Sequence, residues 1–255
     1  MPSLHAAAAQ GFTAGADTYD KGRPDFPPAI AGWLRETLGL GAGKRAIDLG
    51  AGTGKFTPYL IATGAEVMAV EPVAAMRGHL SARLPGTKAL DGTAEAIPLP
   101  DQSVDAVVCA QAFHWFANAR ALAEIRRVLR PGGALGLVWN VRDESIPWVS
   151  ALTRIIQPYE GDAPRYASGA WRRLFPADGL SPLEEAHFHY GHTGPAERVI
   201  VDRTLSISFI AALPKAERDS VAAEIRALIA ATPSLAGKSE VTYPYDTAAY
   251  CSRRP

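Results

Sequence analysis

Glycines recur at every second position in Asp48-Leu49-Gly50-Ala51-Gly52-Thr53-Gly54, between the apolar pair Ala46-Ile47 and a helix-like stretch beginning at Phe56. A glycine-dense turn between a strand and a helix lets backbone approach a ligand closely, because no Cβ intervenes. The helix N-terminus beyond it favours an anionic or carboxylate-bearing group. A dinucleotide fingerprint needs a third small residue at the sixth position from Gly50, where Lys55 stands. Asp48 would repel a pyrophosphate, but it can bind an ammonium group directly or through water. Glu71 closes a second apolar run, Ala65–Val70, and a carboxylate at such a strand end can accept hydrogen bonds from both ribose hydroxyls.

Ammonium, carboxylate and ribose without pyrophosphate describe S-adenosylmethionine (SAM). The elements that must position these residues read as alternating strands and helices. Pro27-Pro28 opens a predicted helix over Ala29–Leu38. Strands follow at Arg45–Leu49, Glu66–Val70, Thr87–Leu90 and Val104–Ala110, with helices from Lys55 and over Ala74–Leu84 between them. Ala119–Arg130 carries Leu122, Ile125, Val128 and Leu129 on one helical face, and Pro131-Gly132-Gly133 ends it before an apolar strand, Ala134–Trp139. Such alternation implies right-handed βαβ units in a doubly wound sheet. Farther on, Ile146–Tyr159, Val199–Ala212 and Lys215–Ala231 read as helices, and Leu183–Tyr190 and Glu240–Cys251 as strands, the last interrupted at Pro244.

Residues 46–57 together with Glu71 resemble the signature of class I SAM-dependent methyltransferases. The resemblance continues through Asp91–Leu99, Ser103–Val108, Gln111–Phe116 and Leu122–Trp139, with Arg130-Pro131-Gly132-Gly133 at its centre. It spans residues 44–141 and is similar to the bacterial small-molecule branch that includes ubiquinone, menaquinone and trans-aconitate methyltransferases. The implied fold is α/β: a Rossmann-like, doubly wound, seven-stranded, mostly parallel sheet with an antiparallel C-terminal hairpin and a lid insertion. The chain then divides into an N-terminal cap (1–43), a SAM-binding core (44–141), a lid (142–180) and a C-terminal part (181–255) of one domain.

What the resemblance implies for the site is specific. Gly50, Ala51, Gly52 and Gly54 line the methionine and ribose portion, Asp48 meets the ammonium, and Glu71 takes the ribose diol with Pro72 and Met76 beside it. Thr93, Ala94 and Glu95 flank the adenine; many relatives carry an aspartate where Thr93 stands, so a hydroxyl contact replaces it. Gln111 faces the methionine end. Tyr19 and Arg23 lie in an opening stretch that folds over the cofactor in this family, where they contact it or only cap apolar surface. The expected reaction is in-line methyl transfer to a small organic acceptor, releasing S-adenosylhomocysteine (SAH). His114 is the candidate catalytic residue, as a general base where the acceptor must lose a proton; packing at a strand–helix junction is the alternative. A SAM- or SAH-binding regulator without turnover fits the same cofactor residues, and an NAD(P)-dependent oxidoreductase fits the fold but not Lys55.

Composition narrows the partners. With 26 basic and 26 acidic residues the formal charge is zero, and no basic stripe of the kind that neutralises phosphates is present. Arg126-Arg127 and Arg172-Arg173 read as solvated helix faces, and nucleic acid is not an expected partner. Two cysteines, Cys109 and Cys251, cannot form a disulfide framework and read as buried core thiols. No apolar run reaches the ~20 residues that span a bilayer, so a cytoplasmic protein without stable membrane association is expected. His187, His189 and His192 lie close together but lack the ligand spacing of a metal site, and no metal is expected. Trp148, Tyr159, Tyr166 and Trp171 either line an apolar acceptor pocket or pack the lid.

Overall fold

The computed structural model describes residues 24–162 and 164–255. Seven strands form one sheet: β1 (Arg45–Leu49), β2 (Glu66–Val70), β3 (Lys88–Leu90), β4 (Val104–Ala110), β5 (Leu129–Arg142), β6 (Glu184–Gly194) and β7 (Val241–Arg253), in the order β3-β2-β1-β4-β5-β7-β6. The pairs β1–β2, β1–β4, β2–β3 and β4–β5 are parallel. β7 runs antiparallel to β5, since Gly132 N bonds Arg254 O at one end and Asp143 N bonds Pro244 O at the other. This is the expected doubly wound sheet with an antiparallel finish. The order turns back at β1 and β4, and ligands bind such sheets at that switch point, outside the carboxyl ends of the strands.

Strands buried on both faces read as unbroken apolar runs, and the central ones do: in β1 only Arg45 is exposed. Six helices matter here: α1 (Ile30–Glu36), α2 (Thr57–Ile61), α3 (Ala74–Arg83), α4 (Ala119–Val128), α5 (Pro147–Ile156) and α6 (Lys215–Ala231). α4 begins where Asn118 Oδ1 accepts Ala121 N at 2.9 Å, a side-chain cap for an otherwise orphan donor. It ends at Val128, two residues before the predicted end. Leu129 is already extended and pairs with Val104, and Pro131 is disfavoured within a helix. Gly136 in β5 leaves room for α1: a Cβ there would stand 2.7 Å from Leu38 Cδ1 and 3.2 Å from Trp33 Cη2.

The described chain resolves into two compact units. The larger comprises residues 26–139, 164–188 and 247–255, and the smaller contains 140–162 and 189–246. The stretch read as one lid, 142–180, therefore contributes to both. The larger unit's core holds Ile30, Trp33, Leu34, Leu60, Val108 and Val138. In the smaller, α5 and α6 enclose Val149, Leu152, Ile200, Val221 and Ile225, and Trp148 sits edge-on to Tyr243 at 5.0 Å. The helix predicted over Val199–Ala212 is broken into a π-helical turn, Glu197–Asp202, and two short α-turns, Arg203–Leu205 and Ser208–Ala211. Among the described residues no helix is long and apolar enough to cross a membrane.

Candidate functional site

The glycine run forms the turn from β1 into α2. Gly50 N and Ala51 N both donate to Val70 O, at 2.8 and 3.3 Å, which ties the turn to the end of β2. Gly52, at φ +56°, and Gly54, at φ +78°, adopt the left-handed conformation that favours glycine. Their surroundings differ. A Cβ on Gly54 would stand 2.8 Å from Leu80 Cγ, whereas on Gly52 it would meet, among the described residues, only Met76 Sδ at 3.4 Å. Gly54 is therefore a packing requirement, and Gly52 forms an open cradle.

Two carboxylates converge on this turn. Glu71, 6% exposed, accepts Gly52 N at Oε2 (3.0 Å) and Val73 N at Oε1 (2.9 Å), so each oxygen keeps a lone pair. Burial raises the Glu71 pKa, against the pull of the Val73 and Gly52 bonds and of Arg77. Asp48, 1% exposed, accepts the Thr57 hydroxyl at 2.7 Å. Burial pushes its carboxyl up to about 7; the Thr57 bond opposes this and the Glu71 charge adds to it. Arg77, which the sequence reading missed, fixes the corner from α3. Its Nη1 donates to Glu71 O at 2.7 Å and Pro72 O at 2.8 Å, and its Nη2 pairs with Asp91 at 3.0 Å. Met76, on the same helix, is buried.

The other expected residues lie on the segments that follow β3 and β4. Thr93 O accepts Ala96 N at 3.2 Å, and Ala94 is buried. Glu95 accepts Asn118 Nδ2 at 2.8 Å, which joins this loop to the cap of α4. Arg127 braces the loop farther along, donating to Ile97 O and Leu99 O while pairing with Glu124 and Asp101. It is an anchor and not the solvated face expected; Arg126 pairs with Asp178 and Arg172 with Glu185. Gln111, just past β4, has φ +58°, an uncommon and strained conformation for a non-glycine residue. The segment after it lies against the glycine turn, since a Cβ on Gly50 would stand 2.8 Å from Ala112 Cβ and 3.1 Å from Phe116 Cε1. His114 lies between those two residues, in a 3₁₀ turn over Phe113–Trp115. Its Nδ1 accepts the indole N–H of Trp139 at 3.0 Å. Tyr19 and Arg23 lie outside the described residues.

The aromatic set divides. Trp148 and Tyr159 belong to the smaller unit's core. Tyr166 and Trp171 instead pack against Trp139 at a tilt, with centroids at 5.0 and 4.6 Å, and Tyr166 OH meets Tyr250 OH at 2.8 Å. Trp139 and Tyr250 were missed, because inside apolar strands an aromatic reads only as core. His187 bonds Glu185 at 3.0 Å and His189 is exposed. Among the described residues no three His, Cys, Asp or Glu side chains come together to hold a metal. Cys109 and Cys251 are buried free thiols.

A model of the methyltransferase domain family matches residues 47–137, the stretch that carries this site. A methyltransferase-like protein of Schizosaccharomyces pombe, itself uncharacterised, is 39% identical over 239 residues, 92% of each chain. Among solved structures, a candidate type II methyltransferase of Anaeromyxobacter dehalogenans matches with TM-score 0.67 and 26% identity over 91% of this chain and 97% of that one. A geranyl diphosphate methyltransferase shares the fold at TM-score 0.51 and 17% identity, over 89% of this chain and 85% of its own. With its glycine turn and two buried carboxylates at the switch point of the sheet, the chain belongs to the class I SAM-dependent methyltransferases.

Proposed function

We propose that this enzyme transfers the methyl group of SAM to a small organic acceptor and releases SAH. The observation that carries the reading is the clasp between Glu71 and Gly52 N, 3.0 Å long, beside the buried carboxyl of Asp48. It supplies acceptor atoms for a ribose diol, an open glycine cradle and a site for an ammonium group, with no third small residue for a pyrophosphate. The fold relative solved with geranyl diphosphate methyltransferase activity in its name holds SAM, which supports the same cofactor here.

Bound SAM supplies a sulfonium methyl already activated for displacement. The chain's own residues then have to hold and shield. Glu71 and Gly52 fix the ribose end, Asp48 the ammonium, and Thr93, Ala94 and Glu95 the adenine. Gln111 faces the methionine end, and His114 is assigned to the acceptor. Trp139 and Trp171, 1% and 3% exposed, pack behind His114, Trp139 with its ring centroid 6.4 Å from the imidazole.

Calorimetric titration with SAM, SAH and NAD(P)H tests the reading, followed by a screen for SAH release over small acids, phenols, amines and thiols. Micromolar SAH binding, silence toward NAD(P)H and SAH release with one acceptor class are expected. An NAD(P)H response without SAH binding would overturn the cofactor assignment. Binding of SAM and SAH with no turnover across the screen favours a regulator built on the same cradle.

A further inference from the structure

Trp139 sits in β5 with 1% of its surface exposed. Its ring centroid lies 4.6 Å from that of Trp171, 5.0 Å from Tyr166 and 5.9 Å from Tyr250, so the indole is confined on several sides. A buried indole N–H is costly without an acceptor. The acceptor here is Nδ1 of His114, at 3.0 Å.

The direction of that bond is fixed by chemistry. An indole nitrogen donates and never accepts. Nδ1 of His114 must therefore offer its lone pair, and the neutral ring carries its proton on Nε2. A general base acting through Nε2 needs the opposite tautomer. That tautomer would point an Nδ1–H at the indole N–H, two donors face to face, with the indole held by its aromatic neighbours. Protonating the ring would create the same conflict.

We propose that Trp139 is a positioning residue of the methyl-transfer site: it holds His114 as the Nε2–H tautomer, which leaves the ring no lone pair at Nε2 with which to take a proton from the acceptor. The inference rests on the methyl transfer proposed above. It narrows the acceptor to molecules whose attacking atom has a lone pair available without help from this ring. Because the sulfonium methyl is strongly activated, such an acceptor needs alignment more than base catalysis.

The test is ¹⁵N NMR of the full chain labelled at histidine, tryptophan and glycine, at pH 7.5, with and without SAH. His114 signals are assigned by their loss in His114→Asn. Expected are the long-range correlation pattern of an Nε2–H imidazole, favoured by about tenfold or more as one net hydrogen bond allows, and a scalar coupling from Trp139 Nε1 to His114 Nδ1 across the hydrogen bond. In Trp139→Phe the tautomer preference falls several-fold. An Nδ1–H ring, an imidazolium, or no coupling in the unmodified protein would overturn the assignment, whether or not the Phe variant folds. SAH separates the two readings. Shifted glycine-turn amides with an Nδ1–H ring sink the tautomer lock alone, whereas no response to SAH sinks the methyl-transfer reading on which it rests.

Discussion

Asp48 is 1% exposed, and burial pushes its carboxyl up to about 7; on the proposed binding mode, the ammonium of SAM requires that carboxyl ionised. Raising the pH from 5.5 to 6.5 should therefore tighten SAM binding. A group with a pKa of about 7 is about 3% ionised at pH 5.5 and about 24% at pH 6.5, while an α-amino group, at about 7.7–8.0, stays protonated throughout. With Asp48 fully ionised in the complex, affinity rises about eightfold over that unit, about 1.2 kcal/mol, and close to one proton leaves per SAM bound. The sign for the ligand-free protein is opposite. A carboxyl whose pKa is raised on folding binds more protons folded than unfolded between about pH 4 and 7, so this group lowers stability as pH rises through that window. Calorimetry at pH 5.5, 6.0 and 6.5, in two buffers of different ionisation enthalpy, reads both affinity and proton release. Asp48→Asn should bind SAM weakly and without the slope. A flat profile in the unmodified protein, or the same slope in Asp48→Asn, would refute the reasoning.

Three further substitutions separate binding from folding. Glu71→Ala leaves Gly52 N and Val73 N without their carboxylate acceptor; SAM affinity should fall at least tenfold and stability by about 1–3 kcal/mol, read by calorimetry and thermal unfolding, and normal SAM binding would mean that the ribose site lies elsewhere. Gly54→Ala combines φ +78° with a contact 2.8 Å from Leu80 Cγ, so about 2–4 kcal/mol of destabilisation is expected, a melting temperature lower by about 5–15 °C; an unchanged melting curve would show that α3 shifts at little cost. Gln111→Gly removes the strain of φ +58° while weakening SAM binding, with stability unchanged or up to about 1 kcal/mol higher. A clear loss of stability there would mark Gln111 as a structural residue.

How legible these features were depends on the distance over which each is determined. β1, β2 and β4 fall where the apolar runs put them, Arg45–Leu49, Glu66–Val70 and Val104–Ala110, because strands covered on both faces announce themselves locally. The helix expected over Val199–Ala212 fails for a reason its apolar pattern conceals: Thr204 Oγ1 donates to Ile200 O and Ser206 Oγ to Arg203 O, and such side-chain bonds compete with the helical ladder. β7 passes through Pro244 without interruption, since the residue contributes its carbonyl, to Asp143 N at 3.2 Å, and that bond asks for no N–H. At the site, residue types and spacing gave the glycines and both carboxylates as candidates. Three properties required the fold: the buried state of Asp48, the brace from Arg77, and the Trp139 partner of His114, 25 residues along the chain.

The two ends of the parallel strands treat charge differently, and that contrast points to the ligand. At the amino ends Asp105 is satisfied by the protein itself, by Lys44 Nζ at 3.2 Å, Arg130 Nη1 at 2.9 Å and the backbone N–H of Arg45 at 2.9 Å. At the carboxyl ends Asp48 has a hydroxyl and a second carboxylate for neighbours, with no cation bonded to it among the described residues. Burying a carboxyl without a counter-charge costs stability, and an apolar residue of similar size would avoid that cost. Gly50, Gly52 and Gly54, all at positive φ, and Gln111 at φ +58° lie at this carboxyl end. A buried carboxyl without a counter-charge at the switch point fits the proposed site, which a molecule carrying the missing positive charge would complete. On the proposed binding mode an ammonium group supplies that charge, and the same molecule brings hydroxyls for Glu71. SAM meets both demands at once, so the two carboxylates should respond together. In Asp48→Asn the binding of SAH, which keeps the ammonium and the ribose, should weaken by a factor similar to that for SAM, whereas loss confined to SAM would place Asp48 at the sulfonium instead.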